Sequence, residues 1–282
     1  GSWIPLVPGT IGIDGVALRD NPNFAGVDDA EVQAKILIKT RMAGDAVGAT
    51  MMDRPEWTGA RPRSRSFREI EVYCTLTNNN RRGTVTASVN AVDGSTSAGS
   101  SRPPVDAANP RENNLYGGVI RWREDGRSVL ATTFKWDLFV QNGDVATTKA
   151  ALPTNDFKGN IVDDPDGSAD YGAPDGIWFD DFGRLWVQTD QAGDAQGDWV
   201  NIGANSMVCA DPATGKTRRF LNGPRNCEVT GVVMTPDART MFVGIQHPGE
   251  DSTAANPTQF SNWPQSQWQE SADGTPLPAG RP

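Results

Sequence analysis

The sequence predicts an all-β protein built from repeated antiparallel hairpins. Its 282 residues include 30 glycines and 20 prolines, a balance that favours many short strands joined by turns over long helices. Two strand-like landmarks recur along the chain with a common period, and turn-forming residues separate them. Each repeat is therefore expected to form one sheet of a larger β domain.

The first landmark is an arginine followed by a run of apolar residues. It recurs with a nearly constant period of about 57 residues. The arginines are Arg68, Arg127, Arg184 and Arg239. Each run, including Val129 and Leu130 after Arg127, is predicted to be a β-strand.

The second landmark is a glycine that opens an apolar strand upstream of each of the last three arginines. These glycines are Gly118, Gly176 and Gly231, and they keep the same period. Turn-forming residues occupy the stretches between the two landmarks, at 124–126, 180–183 and 235–238. Each unit is therefore predicted to contain a β-hairpin with further strands beside it.

A unit of this length suits a four-stranded blade of a β-propeller that carries long loops. One blade cannot bury both faces of its sheet, so neighbouring blades must pack against it. The chain is predicted to be a single, partial β-propeller domain over residues 1–282, with about four blades. The alternative is a β-sandwich whose hairpins are evenly spaced.

Three stretches do not follow the repeat. Residues 28–42 begin with a capping Asp28 and carry Val32, Ile36 and Leu37 at helical spacing, so they predict a short amphipathic helix packed on the ring. Residues 84–110 and 247–282 are rich in small, polar and proline residues and are predicted to be surface loops.

Charge and composition exclude several classes of function. The net charge of −9 repels nucleic acid and attracts cations. A single histidine and three cysteines without metal-ligand spacing argue against zinc sites and histidine-rich dinuclear sites. No run of about 18 consecutive apolar residues occurs, so no membrane-spanning helix is expected.

Carboxylates recur at matching positions of the repeat. Glu56, Asp175 and Glu228 each precede or open a predicted strand, and in a propeller such positions converge on the central channel. Like charges that face one channel repel unless a cation lies between them or their pKa values rise. Oxygen ligands favour hard ions, Ca²⁺ above all and also Fe³⁺. In the alternative interpretation, each carboxylate only caps a turn or pairs with an arginine.

Arg54 lies two residues before Glu56, so in an extended segment both side chains project to the same side. A guanidinium next to a metal-binding carboxylate suits bidentate capture of phosphate oxygens. A plain salt bridge between Arg54 and Asp53 or Glu56 is the alternative.

Seven segments, in order and over nearly the whole chain, resemble successive blocks of the PhoX alkaline phosphatases. They lie at residues 39–50, 52–57, 73–79, 109–114, 174–180, 223–231 and 246–250. One of them reads Met-Asp-Arg-Pro-Glu-Trp and contains both Arg54 and Glu56, and the seven blocks in order are more specific than any one of them.

The resemblance implies a six-bladed propeller that is exported by the twin-arginine route to the periplasm or beyond and hydrolyses phosphate monoesters. It implies a cluster of Ca²⁺ and Fe³⁺ ions, with Arg54 at the phosphate, Glu56 as a metal ligand and Asp175 and Glu228 as further ligands. A monomer is expected.

The ends of the chain predict a piece of a longer protein, since it begins without Met or signal peptide and stops in a proline-rich stretch. By the resemblance, further metal and phosphate ligands belong to a preceding half, so this chain alone is expected to hold part of an active site. Two other functions stay open, a calcium-dependent propeller that opens lactones and a non-catalytic calcium-binding propeller.

Overall fold

The computed structural model describes residues 1–83, 103–144, 170–192 and 197–264. Its strands form antiparallel sheets whose members are hydrogen-bonded in chain order. The first sheet contains β1 (Pro55–Ala60), β2 (Glu71–Leu76), β3 (Gly118–Glu124) and β4 (Phe134–Gln141). The second contains β5 (Pro174–Phe179), β6 (Leu185–Thr189), β7 (Ser206–Ala210) and β8 (Thr217–Asn222). The third pairs β9 (Glu228–Met234) with β10 (Met241–Gln246).

The first and second sheets share one apolar core. Tyr73 of β2 makes edge contacts with Phe139 of β4 and Phe179 of β5, with ring centroids 5.1 Å apart in both pairs. The core also takes Val119 from β3 and Leu185 from β6, all of them buried. Strands β1 and β2 lie against β5, and β5 and β6 lie against β9. The opening strands of the three sheets are thus neighbours.

The predicted hairpins at Gly176 and Gly231 are confirmed as β5–β6 and β9–β10. In the β5–β6 turn the buried Asp180 carboxylate accepts from the backbone N–H groups of Phe182 and Arg184, both at 3.0 Å. Such side-chain to backbone bonds are the reason why Asp is favoured in tight turns.

The strand predicted after Arg127 is wrong. Val129 and Leu130 are more than four-fifths exposed and lie in a turn, where the backbone N–H of Ser128 donates to the carbonyl of Asp125. Strand β4 begins only at Phe134. Strand β3, opened by Gly118, also belongs to the same sheet as β2. The even period therefore does not correspond to one sheet per repeat. Residues 77–117, an insertion between β2 and β3, separate two strands of the same sheet.

The predicted helix is present but divided. Asp28 accepts from the backbone of Glu31 at 2.9 Å, which caps α1 (Asp29–Ile38), and α2 (Thr40–Ala46) follows after Lys39. Val32 and Ile36 are buried, whereas Leu37 is exposed. The helices pack into a separate core with other residues of the first fifty, and not on the sheets as expected. Its buried members are Leu18, Phe24, Val32, Ile36, Ala43, Ala46 and Val47.

The predicted loops are only partly visible. Residues 103–110 and 247–264 contain no strand or helix. Residues 84–102 and 265–282 lie outside the described parts of the chain. Within the described parts, no helix has both the length and the apolar character needed to cross a membrane.

Candidate metal centre

Three carboxylates from two sheets meet at one end of the strands. Asp175 on β5, Asp190 just after β6 and Glu228 at the start of β9 each offer an oxygen, and these oxygens all lie within 4.8 Å of one another. Asp175 and Asp190 are half-buried, and Glu228 is more so. This arrangement is compact enough for one cation to contact all three groups.

The hairpin register brings Asp175 and Asp190 together. Pro174 pairs with Thr189, and the backbone N–H of Asp190 donates to the carbonyl of Ala173 at 2.9 Å. The two acids therefore lie at the open end of the same hairpin.

Gly176 allows the third carboxylate to approach. A Cβ atom at this position would lie 2.3 Å from the carbonyl oxygen of Thr230 on β9. Only glycine therefore permits β9 to pack this closely against β5. The close approach places Glu228 beside Asp175.

Arg54 and Glu56 lie where β1 begins, next to this cluster. One Nη atom of Arg54 is 3.4 Å from Oε1 of Glu56, and the other donates to Oδ1 of Asn78 at 3.4 Å. The salt bridge offered as an alternative is thus present, although both contacts are long. The Arg54 side chain is 54% exposed, so its donors are accessible to a ligand.

Thr75 joins the two sides of the site. Its buried hydroxyl on β2 donates to the carbonyl of Asp175 at 2.6 Å and accepts from the backbone N–H of Trp57 at 3.0 Å. Trp57 follows Glu56 directly. One hydroxyl therefore links the strand of Glu56 to that of Asp175.

Burial and the charges of neighbouring carboxylates raise the pKa values of Asp175 and Glu56. Burial, a hydrogen bond with Glu228 and the charges of Glu228 and Asp190 raise the pKa of Asp175 to about 6, while Arg54 opposes the shift. Burial, followed by the charge of Asp175, also raises the pKa of Glu56. Without a cation, Asp175 therefore keeps its proton up to a higher pH than an ordinary aspartate does.

His247 lies beside the cluster, directly after β10. Its Nε2 atom is 3.4 Å from Oε2 of Glu228, and its Nδ1 is 3.4 Å from Glu250. Gln246 donates to the same Glu228 oxygen at 2.7 Å. The Glu228 side chain is therefore oriented by residues at the end of β10, the strand that pairs with its own.

The donor set fits a hard cation. The cluster offers only carboxylate oxygens, the ligand type of Ca²⁺, and like charges this close are tolerated when a cation neutralises them. Sequence reasoning missed Asp190. The register of the β5–β6 hairpin was the signal available, because Asp190 is the first residue beyond the strand that pairs with the start of β5.

The titration of Asp175 predicts a pH dependence for the metal-free protein. Its pKa in the folded chain, about 6, lies above the ordinary value of 3.8, so protonation favours the folded state. This stabilising contribution is fully present below pH 3.8, the ordinary pKa that applies in the unfolded chain, and is lost as the pH rises through about 6. We expect urea unfolding in chelator to show a metal-free protein that is about 1 kcal/mol more stable near pH 5 than near pH 7.5, after discounting for solvent exposure.

Two comparisons check the origin of this pH effect. Asp175→Asn removes the titrating group and should flatten the trend between the two pH values. Saturating Ca²⁺ should reverse the trend, because the ionised carboxylates are then stabilised. An equal slope in Asp175→Asn and wild type would contradict the assignment.

The fold and the site together define a class of protein: a mostly β protein of antiparallel sheets, with a carboxylate cluster suited to a hard cation and an exposed arginine at the edge of that cluster. Residues 1–249 match the family described as alkaline phosphatase PhoX. The chain belongs to this family.

A solved structure is similar to this chain over most of its length. It is Pseudomonas fluorescens PhoX in complex with vanadate, a transition state analogue, with 37% sequence identity and a TM-score of 0.65. The similarity covers 93% of this chain and 39% of the other, so the chain spans well under half of that protein. No protein of curated function matches the chain.

Proposed function

We propose that this chain is part of a metal-dependent phosphatase that hydrolyses phosphate monoesters. The observation that carries the proposal is the exposed Arg54 guanidinium at the edge of the carboxylate cluster, in a chain of the PhoX alkaline phosphatase family. That juxtaposition suits a substrate whose anionic oxygens contact cations on one side and a guanidinium on the other.

Each residue has a distinct role in the proposal. Asp175, Glu228 and Glu56 hold the metal ions in this proposal, together with Asp190, whose carboxylate lies close to those of Asp175 and Glu228. Ca²⁺ and Fe³⁺, when bound, supply Lewis acidity toward the phosphate oxygens. Arg54 binds two oxygens of the phosphate and neutralises charge that develops on them. Glu56 orients the guanidinium through their ion pair.

The fold proposed for the protein is a six-bladed β-propeller, of which residues 1–282 supply part of one domain. The neighbouring positions of β1, β5 and β9 support it, because the first strands of successive blades line the channel of a propeller. Strand β1 is largely exposed, which is consistent with a strand that faces an open channel.

The proposed location is the periplasm or the exterior, reached by the twin-arginine route, and the proposed state is a monomer. Membership of the PhoX family supports export. The net charge of −9 argues against nucleic acid as a partner. A small anionic substrate would instead be attracted locally by the bound cations.

One experiment separates this function from its rivals. The full-length protein is purified, its metals are measured by mass spectrometry, and turnover of p-nitrophenyl phosphate and of a lactone is assayed with calcium and iron. Iron and calcium together with phosphate release support the phosphatase. Calcium alone with lactone opening supports the lactonase-like propeller, and calcium without either activity supports a binding propeller.

A further inference from the structure

We propose that a buried ion pair outside the metal centre, Asp53 with Arg82, positions Arg54 for its ligand. The inference rests on the proposed function, in which Arg54 binds the phosphate. Asp53 directly precedes Arg54, whereas Arg82 comes from the insertion between β2 and β3.

The ion pair is fully enclosed. Nε of Arg82 is 2.5 Å from Oδ1 of Asp53, and both side chains are inaccessible to solvent. Nδ2 of Asn114 donates to the other carboxylate oxygen at 2.9 Å. Both oxygens of Asp53 therefore have partners, and the direction of this side chain is fixed.

The same network holds the backbone before Arg54. The Nη atoms of Arg82 donate to the carbonyls of Met51 and Pro104, both at 2.5 Å. Oδ1 of Asn109 accepts from the backbone N–H of Asp53 at 3.2 Å, and its Nδ2 donates to Met51 at 3.1 Å. The path of the chain into Arg54 is thus set by side chains of the insertion.

Arg54 needs such support because its backbone is left-handed, with φ at +50°. This conformation is uncommon for a residue other than glycine and persists where the surroundings enforce it. Its N–H donates to Met52 at 3.0 Å, and its carbonyl accepts from the backbone of Thr77 at 3.1 Å. The network upstream and the bond to Thr77 downstream together fix the backbone from which the Arg54 side chain extends toward Glu56 and Asn78.

A purely structural role accounts poorly for the ion pair. Two charges buried together are often no more stabilising than apolar side chains of the same volume. An apolar pair, however, could not hold the carbonyls of Met51 and Pro104 or fix the peptide that enters Arg54. The structure therefore assigns the insertion a positioning task at the site.

The test is a double-mutant cycle in the full-length, metal-loaded protein. Asp53→Asn with Arg82→Gln replaces the ion pair by neutral groups and leaves no buried charge alone. We expect kcat/KM for p-nitrophenyl phosphate to fall about 10²-fold, as for a misplaced catalytic group, with calcium and iron content unchanged. In an Arg54→Ala background the same pair of changes should alter kcat/KM less than about 2-fold, because the group being positioned is gone.

Asn114→Ala is the milder variant, which keeps the ion pair and should show a smaller loss that again disappears in the Arg54→Ala background. It decides the question should the double variant fail to fold. The matched control is Glu71→Gln, because Glu71 is also a fully buried carboxylate, bonded to Tyr73 at 2.8 Å and paired with Arg61 and Arg123, at the other end of β2 from Thr75. It should lower stability and leave kcat/KM near wild type.

Equal losses with and without Arg54 would overturn the inference, as would wild-type kinetics in both network variants. If Arg54→Ala itself leaves turnover intact, the proposed function of the site fails instead. The two failures are therefore distinguishable within one set of proteins.

Discussion

Arg54→Ala in the full-length protein is expected to lower kcat/KM for phosphate monoesters by about 10²- to 10³-fold, the range typical for removal of one donor that stabilises transition-state charge. The guanidinium is an exposed cationic group beside Glu56. Under the proposed function, its loss removes a direct contact to the phosphate. Metal content should be retained, because Arg54 offers no ligand atom. Steady-state kinetics with metal analysis on the same preparations measures both quantities.

Two further variants define the specificity of this effect. Arg54→Lys keeps the charge but lacks the planar fork of donors, so we expect an intermediate loss. Arg127→Ala is the control, since Arg127 is an exposed arginine paired with Glu69 on a turn, and its kinetics should equal those of wild type. Near-normal turnover in Arg54→Ala would remove the arginine from the mechanism.

Asp175→Asn should change cation affinity and metal-free stability in opposite directions. Loss of one charged ligand is expected to weaken Ca²⁺ binding by about 100-fold, the upper end of effects seen around metal ligands. Without cations, the same change relieves repulsion with Glu228 and Asp190, so the metal-free protein should gain about 1 kcal/mol at neutral pH.

Calorimetric titration with Ca²⁺ and urea unfolding in chelator test the two halves of this prediction. Asp181→Asn is the matched control, because Asp181 is an exposed acid in the turn at the opposite end of the same hairpin. It should change neither quantity. A metal-free Asp175→Asn protein that is less stable than wild type would show that the carboxylates are held by something other than a cation.

Much of the sheet structure was predictable, because hairpin turns and apolar strands leave local signals. The strands around Gly176 and Gly231 carry both signals, and they form β5 and β9. Asp175 and Glu228 lie at the beginnings of these strands, and in the structure they are close to Asp190.

Other features depend on contacts that no local pattern encodes. Val129 and Leu130 look like a strand, yet they occupy an exposed turn, because apolar residues beside an arginine are not sufficient for pairing. Asp190 follows an ordinary strand and becomes part of the site only through the register of its hairpin. The burial of Asp53 and Arg82 depends on where the insertion folds back, and their sequence separation gives no hint of it.

The Thr75 hydroxyl ties residues one hundred positions apart, and this distance along the chain has a consequence for how the site comes into being. No single sheet contains the whole site, since Glu56 lies on the first sheet, Asp175 and Asp190 on and beside the second, and Glu228 on the third. A chain whose sheets had formed but not yet docked could not bring these carboxylates together around one cation. Cation binding therefore reports on the docking of the sheets, and a cation added during refolding is expected to stabilise the docked state and not the separate sheets.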